Sequence, residues 1–441
     1  MPGSGRGDVW RLIAAKGVRA VGDGFVSVLL PAYLLALGFG PWEVGVLSAA
    51  TLLGSAILTL LAGRVAARFG HRRPLLAAAA LMSMTGLGFA GLDAFLPMLI
   101  VAFAGTLNPS SGDVSVFLPL EQSLLSRSVG DGERTRVFAF YSLSGSLLGA
   151  LGTQAAALPE RIAGWAGISL LSAMRAQFLV YAALGVGAAL IYRGIHDNEG
   201  SPAPYGSSPA PPGRKPQPGA APPHPVQPAL IGRLGPSRRP VYRLTALFGV
   251  DAFGGGFLVQ SILALWLFRA FDLPLSAAAT IFFGTNLLAA VSYLLAAPLA
   301  RRFGLLHTMV FTHLASSVFL LLIPLVSSLG AVIGLLLARS LLSQLDVPTR
   351  TSYVMAVVTP PERAAAASLT SAPRSLAAAV SPAIAGLLLT VSNFGWPLLI
   401  GGALKIGYDV ALLTLFRHVR PAEERGPIPA PPVPDPRNGG V

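Results

Sequence analysis

The stretch PLEQSLLSRSVGDGERTR at residues 119–136 recurs without a gap as PTRTSYVMAVVTPPERAA at residues 348–365. Both copies begin with a proline and reach a Glu-Arg pair 14 residues later. Each copy also follows a long apolar run, so both lie at the end of the same kind of segment. Self-similarity at a fixed offset indicates a duplicated unit, and the chain is therefore predicted to contain two halves of similar structure.

Composition places both halves in a membrane. Of the 441 residues, 53% are hydrophobic and 12% are charged, whereas soluble proteins carry about 25% charged residues. The mean hydropathy is +0.65. About 20 mainly apolar residues cross a bilayer as a helix, and the chain holds twelve such segments. The predicted spans are 17–38, 42–62, 74–92, 95–128, 136–158, 175–195, 241–268, 275–299, 305–328, 330–357, 364–392 and 394–418. The predicted fold is thus an all-α membrane protein with two pseudo-symmetric six-helix bundles.

A second repeat supports the division into halves. GRVAARFGHRRPLL at residues 63–76 recurs as APLARRFGLLHTMV at residues 297–310, again between consecutive spans. The segments that join and follow the halves are rich in proline, which disfavours both helix and sheet. The expected parts are an N-terminal six-helix bundle at 1–195, a disordered cytoplasmic linker at 196–240, a C-terminal six-helix bundle at 241–418 and a disordered cytoplasmic tail at 419–441.

The distribution of Lys and Arg predicts the orientation, because positively charged loops stay on the cytoplasmic side. Most of the 32 Lys and Arg residues lie on the side of the N-terminus, the linker and the tail. Three lie in the opposite loops, and three more, Arg339, Arg374 and Lys405, lie at membrane depth. We therefore expect a multi-pass protein of the inner or plasma membrane with both termini in the cytoplasm. The net charge of +13 then reflects topology, and no nucleic-acid partner is expected.

Two six-helix halves joined by a basic loop resemble the plan of the major facilitator superfamily. The loop GRVAARFGHRR is similar to the loop signature of that family. The matching positions are Gly63, Arg68, Gly70, Arg72 and Arg73. The resemblance implies that these residues take part in gating between the halves. Ala67 replaces the acidic residue of the signature, and Arg301 replaces it in the second copy, which implies a weaker or different latch.

Glycines in span five give a further resemblance. Gly145, Gly149 and Gly152 have the spacing of the antiporter signature without its proline, and Pro382 and Gly386 in span eleven are similar to its counterpart. The resemblance favours efflux. The alternative is that glycines at this spacing let helices pack closely.

The stretch TLNPSSGDVSVFLPLEQ at residues 106–122 is polar although it lies inside predicted span four. The Asn-Pro pair that begins at Asn108 should interrupt the helix, and Asp113 should lie near the midplane. Irregular backbone and ionisable groups occur at that depth only where they face protein or a water-filled cavity. We therefore expect Asn108, Ser110 and Ser111 to contact substrate and Asp113 to carry a proton. The alternative is a carboxylate that only fixes the broken helix through neighbouring hydroxyl groups.

Spans seven, ten and eleven place further charges at a common depth. At about 1.5 Å per residue, Asp251, Asp346 and Arg374 all lie roughly 15–18 Å from the cytoplasmic ends of their helices. They are predicted either to bind an anionic or zwitterionic solute or to form a structural network, and both aspartates are further proton-coupling candidates. Gln260 and Asn286 are candidate substrate contacts, although hydrogen bonds between helices are the commoner role of such residues.

The repeat places Glu121 and Arg350 at equivalent positions of the two halves. Opposite charges there would close the cytoplasmic gate if they formed an ion pair. The alternative is local pairing, of Arg350 with Asp346 and of Glu121 with Arg68 or Arg72.

Spans nine and twelve are expected to lie outside the cavity, as they do in the family that the chain resembles. Lys405 and Asp409 are four residues apart on one helix face, which predicts a self-satisfied pair. His313 is expected to be a packed, neutral side chain.

These features predict a secondary transporter that works by alternating access, with proton-coupled efflux of a small organic molecule as the first interpretation. The alternatives are an importer of a sugar or organic acid, acting as symporter or uniporter, and a non-transporting membrane sensor. A glycine-rich phosphate loop, an HExxH motif and an accessible Ser-His-Asp set are absent, so no enzyme activity is expected. The chain has no cysteine, and we expect neither a metal nor a cofactor. The expected partners are the substrate, protons and the bilayer, and the expected state is a monomer.

Overall fold

The computed structural model describes residues 4–110, 115–129, 131–196, 237–358 and 362–417, in which every regular element is a helix. The helices of the N-terminal half are α1 (Ser4–Ala36), α2 (Pro41–Phe69), α3 (Arg72–Gly91), α4 (Phe95–Ala104), α5 (Phe117–Ser128), α6 (Asp131–Ala155), α7 (Leu158–Ala166) and α8 (Leu170–Arg193). Those of the C-terminal half are α9 (Arg238–Gly256), α10 (Gln260–Phe271), α11 (Leu275–Phe303), α12 (Leu305–Leu322), α13 (Leu329–Leu342), α14 (Asp346–Val357), α15 (Arg363–Val391) and α16 (Trp396–Phe416). The predicted tail, almost all of the predicted linker, and the candidate residues Ser111 and Asp113 lie outside the described residues.

The described helices form the twelve spans that the sequence predicts. Nine helical segments in this part of the chain are long and apolar enough to cross a membrane. The other three spans are four, five and ten. Span four is divided into α4 and α5, span ten is divided into α13 and α14, and α6 of span five has a more polar composition. The first parts of spans four and ten, α4 and α13, are themselves apolar but are too short to cross a membrane alone. Each division introduces irregular backbone, which is tolerated at membrane depth only where it faces protein or a cavity.

The internal repeat is visible in the helix boundaries. α5 and α14 have 12 residues each, and their first residues, Phe117 and Asp346, are separated by the same distance along the chain as Pro119 and Pro348. α2 and α11 have 29 residues each. Their ends are equivalent as well, because each is followed by a glycine with positive φ, +76° at Gly70 and +83° at Gly304. Glycine adopts this backbone conformation without a steric penalty, so the signature glycine has the same backbone role in both halves.

Close packing of α1 against α6 requires glycine on both helices. A Cβ atom on Gly24 of α1 would lie 2.1 Å from the carbonyl oxygen of Gly149, and one on Gly152 of α6 would lie 2.2 Å from that of Val21. Both distances are too short for any side chain. A Cβ atom on Gly149 would lie 3.7 Å from its nearest neighbour, which is an ordinary contact. Helix packing, the alternative that the sequence left open, therefore accounts for Gly152.

The two halves contact each other on one side of the molecule. We call the end where α8 finishes and α9 begins the linker face, and the opposite end the distal face. Near the distal face, a Cβ atom on Gly45 of α2 would lie 2.8 Å from the Cα of Gly386 of α15. Deeper in the bundle, the hydroxyl oxygens of Ser48 and Ser261 lie 3.1 Å apart. The halves are thus joined between the distal face and the middle of the bundle.

Three features described below differ from the prediction. Helix α1 begins at Ser4, well before the predicted start of span one at residue 17. Charged residues hid this extension from the hydropathy pattern, and they are satisfied on the helix surface, for example by the 3.0 Å contact of Arg11 with Asp8. Span seven is divided into α9 and α10, and the short helix α7 between spans five and six was not expected.

Candidate functional site

A cavity of about 260 Å³ lies mainly within the C-terminal half. Side chains from all six spans of this half line it, and Ser110 contributes from the break of span four in the N-terminal half. The ionisable side chains in its wall are Asp251, His313, Arg339, Asp346, Arg350, Arg374 and Lys405. The structure thus brings together Asp251, Asp346 and Arg374, as their common depth predicts. Charged groups at membrane depth mark functional sites, which makes this cavity the candidate site.

Asp251 of α9 is the centre of the charge cluster. Its side chain is buried, and one carboxylate oxygen accepts a hydrogen bond from Nζ of Lys405 at 2.7 Å. The other oxygen accepts one from Nη1 of Arg350 at 3.0 Å. Nη2 of Arg350 lies 3.0 Å from Asp346, the local partner that the four-residue spacing predicts. Arg350 therefore bridges the two carboxylates. Ion pairs at Asp251 connect spans seven, ten and twelve.

The predicted pair of Lys405 and Asp409 is wrong. Lys405 contacts Asp251, and Asp409 contacts Nδ1 of His313 at 2.9 Å. Nε2 of His313 lies 3.3 Å from Nζ of Lys405 and 3.4 Å from Asp251. This geometry is satisfied when Nδ1 of the imidazole donates to Asp409 and Nε2 accepts from Lys405. Lys405 and Asp409 each find a closer partner on a neighbouring span than on the next turn of their own helix.

His313 and Lys405 also change the expected extent of the site. Spans nine and twelve were expected to be peripheral, but both side chains reach the cavity wall. Neither residue was a predicted site residue, nor was Arg339. The signal that identifies Arg339 and Lys405 is their charge within an apolar span, because such a residue nearly always faces the bundle interior or a cavity.

Glu121 belongs to a separate network in the N-terminal half. Its side chain is fully buried, and it accepts hydrogen bonds from Arg19 and from the hydroxyl groups of Tyr141 and Tyr192, the last at 2.6 Å. The guanidinium of Arg19 also lies 3.9 Å from the ring centre of Phe117. Four spans of the N-terminal half therefore meet at one carboxylate, and each of its contacts is charge-assisted.

This network corrects the predictions for Glu121. Its partner is Arg19 of the extended helix α1 instead of Arg68 or Arg72, and Arg68 is exposed at the end of α2. The ion pair of Glu121 with Arg350 is not formed in this structure. Each of these two side chains is bonded within its own half, so both are structural partners in the observed conformation.

The break in span four is built as its Asn-Pro pair predicts. The side-chain oxygen of Asn108 accepts hydrogen bonds from the backbone N–H of Ser110 at 3.1 Å and from its hydroxyl group at 2.7 Å. The carbonyl oxygen of Pro109 accepts one from the backbone N–H of Ser261 at 3.0 Å. The interrupted backbone of one half is thus satisfied by the start of α10 in the other, and Ser110 is placed at the cavity.

Gln260 and Asn286 also line the cavity. The amide nitrogen of Asn286 donates to the hydroxyl group of Thr153 at 2.9 Å, which is a contact between the halves. The amide nitrogen of Gln260 is buried and has no hydrogen-bond acceptor among the residues that the structure describes. Asn286 therefore serves at least partly as a link between helices, whereas Gln260 has a donor to offer a ligand.

The residues of the loop signature lie at the linker face. Gly63, Arg68 and Arg73 are exposed, and Arg72 is half-buried. The guanidinium of Arg68 lies 5.3 Å from the ring centre of Phe69, and its counterpart in the second copy, Arg302, lies 5.5 Å from that of Phe303. Their predicted gating role concerns movement between conformations and stays a prediction.

Asp251, His313 and Asp346 place ligand atoms within 4.8 Å of one another, a spacing that also suits a metal ion. Both carboxylates, however, already contact Arg350, and Asp251 contacts Lys405 as well. A divalent ion would have to displace these cations at membrane depth. The cluster is therefore assigned to ion pairing.

Comparison with known families accounts for this architecture. The model of the Major Facilitator Superfamily matches residues 12–250 and 244–439, which together span nearly the whole chain. The chain belongs to the Major Facilitator Superfamily. It is therefore a multi-pass membrane transporter and not an enzyme, and its substrate is a small molecule.

Similar proteins of the superfamily include both curated and structurally solved members. The chain is 24% identical to an uncharacterized membrane protein of Saccharomyces cerevisiae over 93% of its own length and 94% of that protein. It is 32% identical to the putative multidrug resistance protein MdtD of Yersinia enterocolitica, over 22% of each chain.

Crystal structures show the same fold at low sequence identity. A mutant of the nucleoside transporter NupG superposes with a TM-score of 0.69 at 12% identity, over 93% of this chain and 100% of that one. A bacterial homolog of the human lysosomal transporter Spinster, in an inward-facing and unoccupied conformation, superposes with a TM-score of 0.64 at 14% identity, over 93% and 95%. Identities this low establish the fold alone.

Proposed function

We propose that this transporter is a proton-coupled secondary transporter, that the cavity of the C-terminal half is its substrate site, and that it exports a small organic molecule. The observation that carries the proposal is the position of the cavity. Charged side chains from several spans surround it, and hydrogen bonds between the halves lie at its edge, from Asn286 to Thr153 and from Ser261 to Pro109. A site at the boundary of two halves changes its access when the halves rock, which is the basis of alternating access.

The size of the cavity bounds the substrate. Its volume of about 260 Å³ is below the range of roughly 300–1,000 Å³ that is typical of sites for drug-sized ligands. The substrate is therefore a compound of metabolite size. Export is supported by the partial similarity to MdtD. Import of an organic acid is the second candidate, and the excess of cationic side chains in the wall favours it over import of a neutral sugar.

The contacts on the distal side support a state that is closed there. In the predicted orientation the distal face is extracellular, so this state is inward-facing. A return to the outward-facing state requires Ser48 to separate from Ser261 and Asn286 from Thr153.

The test is flux through the protein in proteoliposomes, with a switch built into the chain. A growth screen of cells that lack or overproduce the protein identifies a compound, and an imposed pH gradient should then drive that compound against its own gradient. In the variant Ser48→Cys with Ser261→Cys, oxidation should join the halves and stop transport, and a reductant should restore it. The chain has no other cysteine, and the two hydroxyl oxygens are already 3.1 Å apart.

The two single-cysteine variants are the matched controls, and oxidation should leave their transport unchanged. The direction of accumulation in everted vesicles decides between export and import. Binding of the compound without flux, with or without oxidation, would support a sensor and overturn the proposal.

A further inference from the structure

Two arginines in the cavity wall form no ion pair with any residue that the structure describes. Arg374 of α15 lines the cavity, and its buried Nε has no hydrogen-bond acceptor in the described part of the chain. Arg339, near the end of α13, lines the same cavity. Among the residues that the structure describes, neither guanidinium forms an ion pair or a hydrogen bond. Both residues are half-buried, and each guanidinium has five N–H donors to offer.

The acidic residues of the cluster are already used. The carboxylates of Asp251 and Asp346 lie within 3.0 Å of Arg350 or Lys405. Asp409 is held by His313. Four cationic side chains thus line the cavity beside two carboxylates, which leaves an excess of positive charge in the described wall.

An uncompensated cation is costly at membrane depth, and two in one cavity raise each other's cost. A bound anion would remove this cost. We infer that Arg339 and Arg374 bind the anionic group of the substrate, so that the transported compound is a small organic anion. The inference rests on the proposal that this cavity is the transport site. Guanidinium groups suit it chemically, because their planar forks bind the oxygens of carboxylates and phosphates in pairs.

Further groups in the wall suit the rest of such a molecule. The amide nitrogen of Gln260 is a buried donor without an acceptor in the described ranges, and Ser110 lines the cavity from the N-terminal half. A hydroxyl or carbonyl oxygen on the substrate would accept from Gln260 while its anionic end contacts the arginines. The ligand would then contact both halves, so its binding would affect the movement of one half relative to the other.

A single thiol in the cavity tests the electrostatic part of the inference. Ser343 lines the cavity, and Ser343→Cys in the full chain is its only thiol. In detergent, an anionic methanethiosulfonate should react faster with Cys at this position than a cationic reagent of the same length, after both rates are normalised to a free thiol. Arg339→Gln and Arg374→Gln should each lower this rate ratio by about tenfold, because a nearby unit charge is lost. Arg301→Gln, at the exposed linker end of α11, should leave the ratio unchanged.

A second measurement needs no change of charge in the protein. In the Ser343→Cys variant, succinate should slow labelling by a neutral maleimide, and succinamide, which has the same size without the charges, should not. Arg374→Lys, which keeps the charge, should retain the slowing. Equal slowing by succinate and succinamide would overturn the anion site, and so would a rate ratio that does not respond to either arginine. If chloride slows labelling as much as succinate does, the site binds inorganic anions, and the proposal of an organic anion as substrate is overturned.

Labelling does not require transport, so the two proposals fail separately. Anion protection in a protein that moves no compound would contradict the proposed function and leave the anion site standing. Transport of a neutral compound, without anion protection, would support the proposed transport function and overturn the anion site.

Discussion

The carboxylate of Glu160 caps the helix that begins at Leu275, across the boundary between the two halves. One oxygen accepts from the backbone N–H of Leu275 at 2.6 Å, and the other accepts from that of Ser276 at 2.9 Å. The first N–H groups of a helix have no partner within the helix and carry partial positive charge, so a carboxylate stabilises them. Because α7 and α11 belong to different halves, this cap exists only while the distal ends are together.

Removal of the cap should therefore favour separation at the distal face. In Glu160→Ala, a cysteine introduced at Ser261, which is buried between the halves, should react with an impermeant maleimide about three- to tenfold faster from the distal side. Gln154→Ala is the matched control, since its amide makes only a 3.4 Å contact with Thr280 and its loss should have little effect. An unchanged labelling rate in Glu160→Ala would show that the cap does not contribute to closure.

The contact of Asp251 with Lys405 should make a large contribution to stability. Loss of one partner of a buried ion pair typically costs roughly 3–5 kcal/mol, because the other charge is left uncompensated. Lys405→Met should therefore lower the midpoint of thermal unfolding in detergent more than Arg302→Gln, which removes an exposed charge. Asp251→Asn combined with Lys405→Met should recover part of the loss. Additive losses in the double variant would contradict a direct pair.

The sequence predicted the fold because hydropathy and the internal repeat are properties of whole segments. The twelve spans and the division of span four at Asn108 follow from residue types alone. The partners of single charges do not, since they depend on how helices rotate about their axes. Lys405 illustrates the limit: its four-residue spacing to Asp409 is favourable, but α16 turns it toward Asp251 on another span.

Glu121 shows the same limit. The prediction paired Glu121 with the loop after α2, although Arg19 already lay within the predicted first span at 17–38. In the structure, Arg19 of α1 contacts Glu121 inside the bundle. Residue types place both charges in spans but do not say which faces of spans one and four meet. The early start of α1 at Ser4 is a separate error, which arose because the residues that extend the helix are polar.

Exchange of charges between Glu121 and Arg350 should not restore function. Glu121→Arg removes the acceptor of Tyr141 and Tyr192, and Arg350→Glu adds a third acid beside Asp251 and its neighbours. We expect the single variants and the double variant all to lose transport of the compound identified in cells. Recovery of transport in the double variant would show that the two residues pair in another conformation, as the repeat permits.

Topology is predicted from the one-sided distribution of positive charge. Because the chain has no native cysteine, Lys215→Cys places the only thiol in the linker between the halves. An impermeant maleimide should label it only after the membrane of the cell is opened. Arg161→Cys, in the loop between spans five and six, is the matched opposite and should be labelled in intact cells. The reversed pattern would overturn the orientation and make the distal face cytoplasmic.

Asp113 is the predicted proton carrier, and its side chain can be tested without knowledge of its contacts. It is the acid that the sequence places nearest the midplane of the N-terminal half, directly after the broken helix of span four. Substitution by Asn preserves size and most hydrogen bonding but removes the ability to titrate. In proteoliposomes, Asp113→Asn should abolish accumulation that is driven by a pH gradient and leave counterflow of the substrate intact, because counterflow needs no net proton movement.

Asp251→Asn provides the contrast for that experiment. Asp251 holds both Lys405 and Arg350, so its neutralisation should disturb the cavity itself and reduce counterflow as well as accumulation. Loss of both activities in Asp113→Asn would instead assign Asp113 a structural role in the broken helix. Accumulation that survives Asp113→Asn would remove this residue from the coupling mechanism and direct attention to Asp346, whose carboxylate forms an ion pair with Arg350 alone among the described residues.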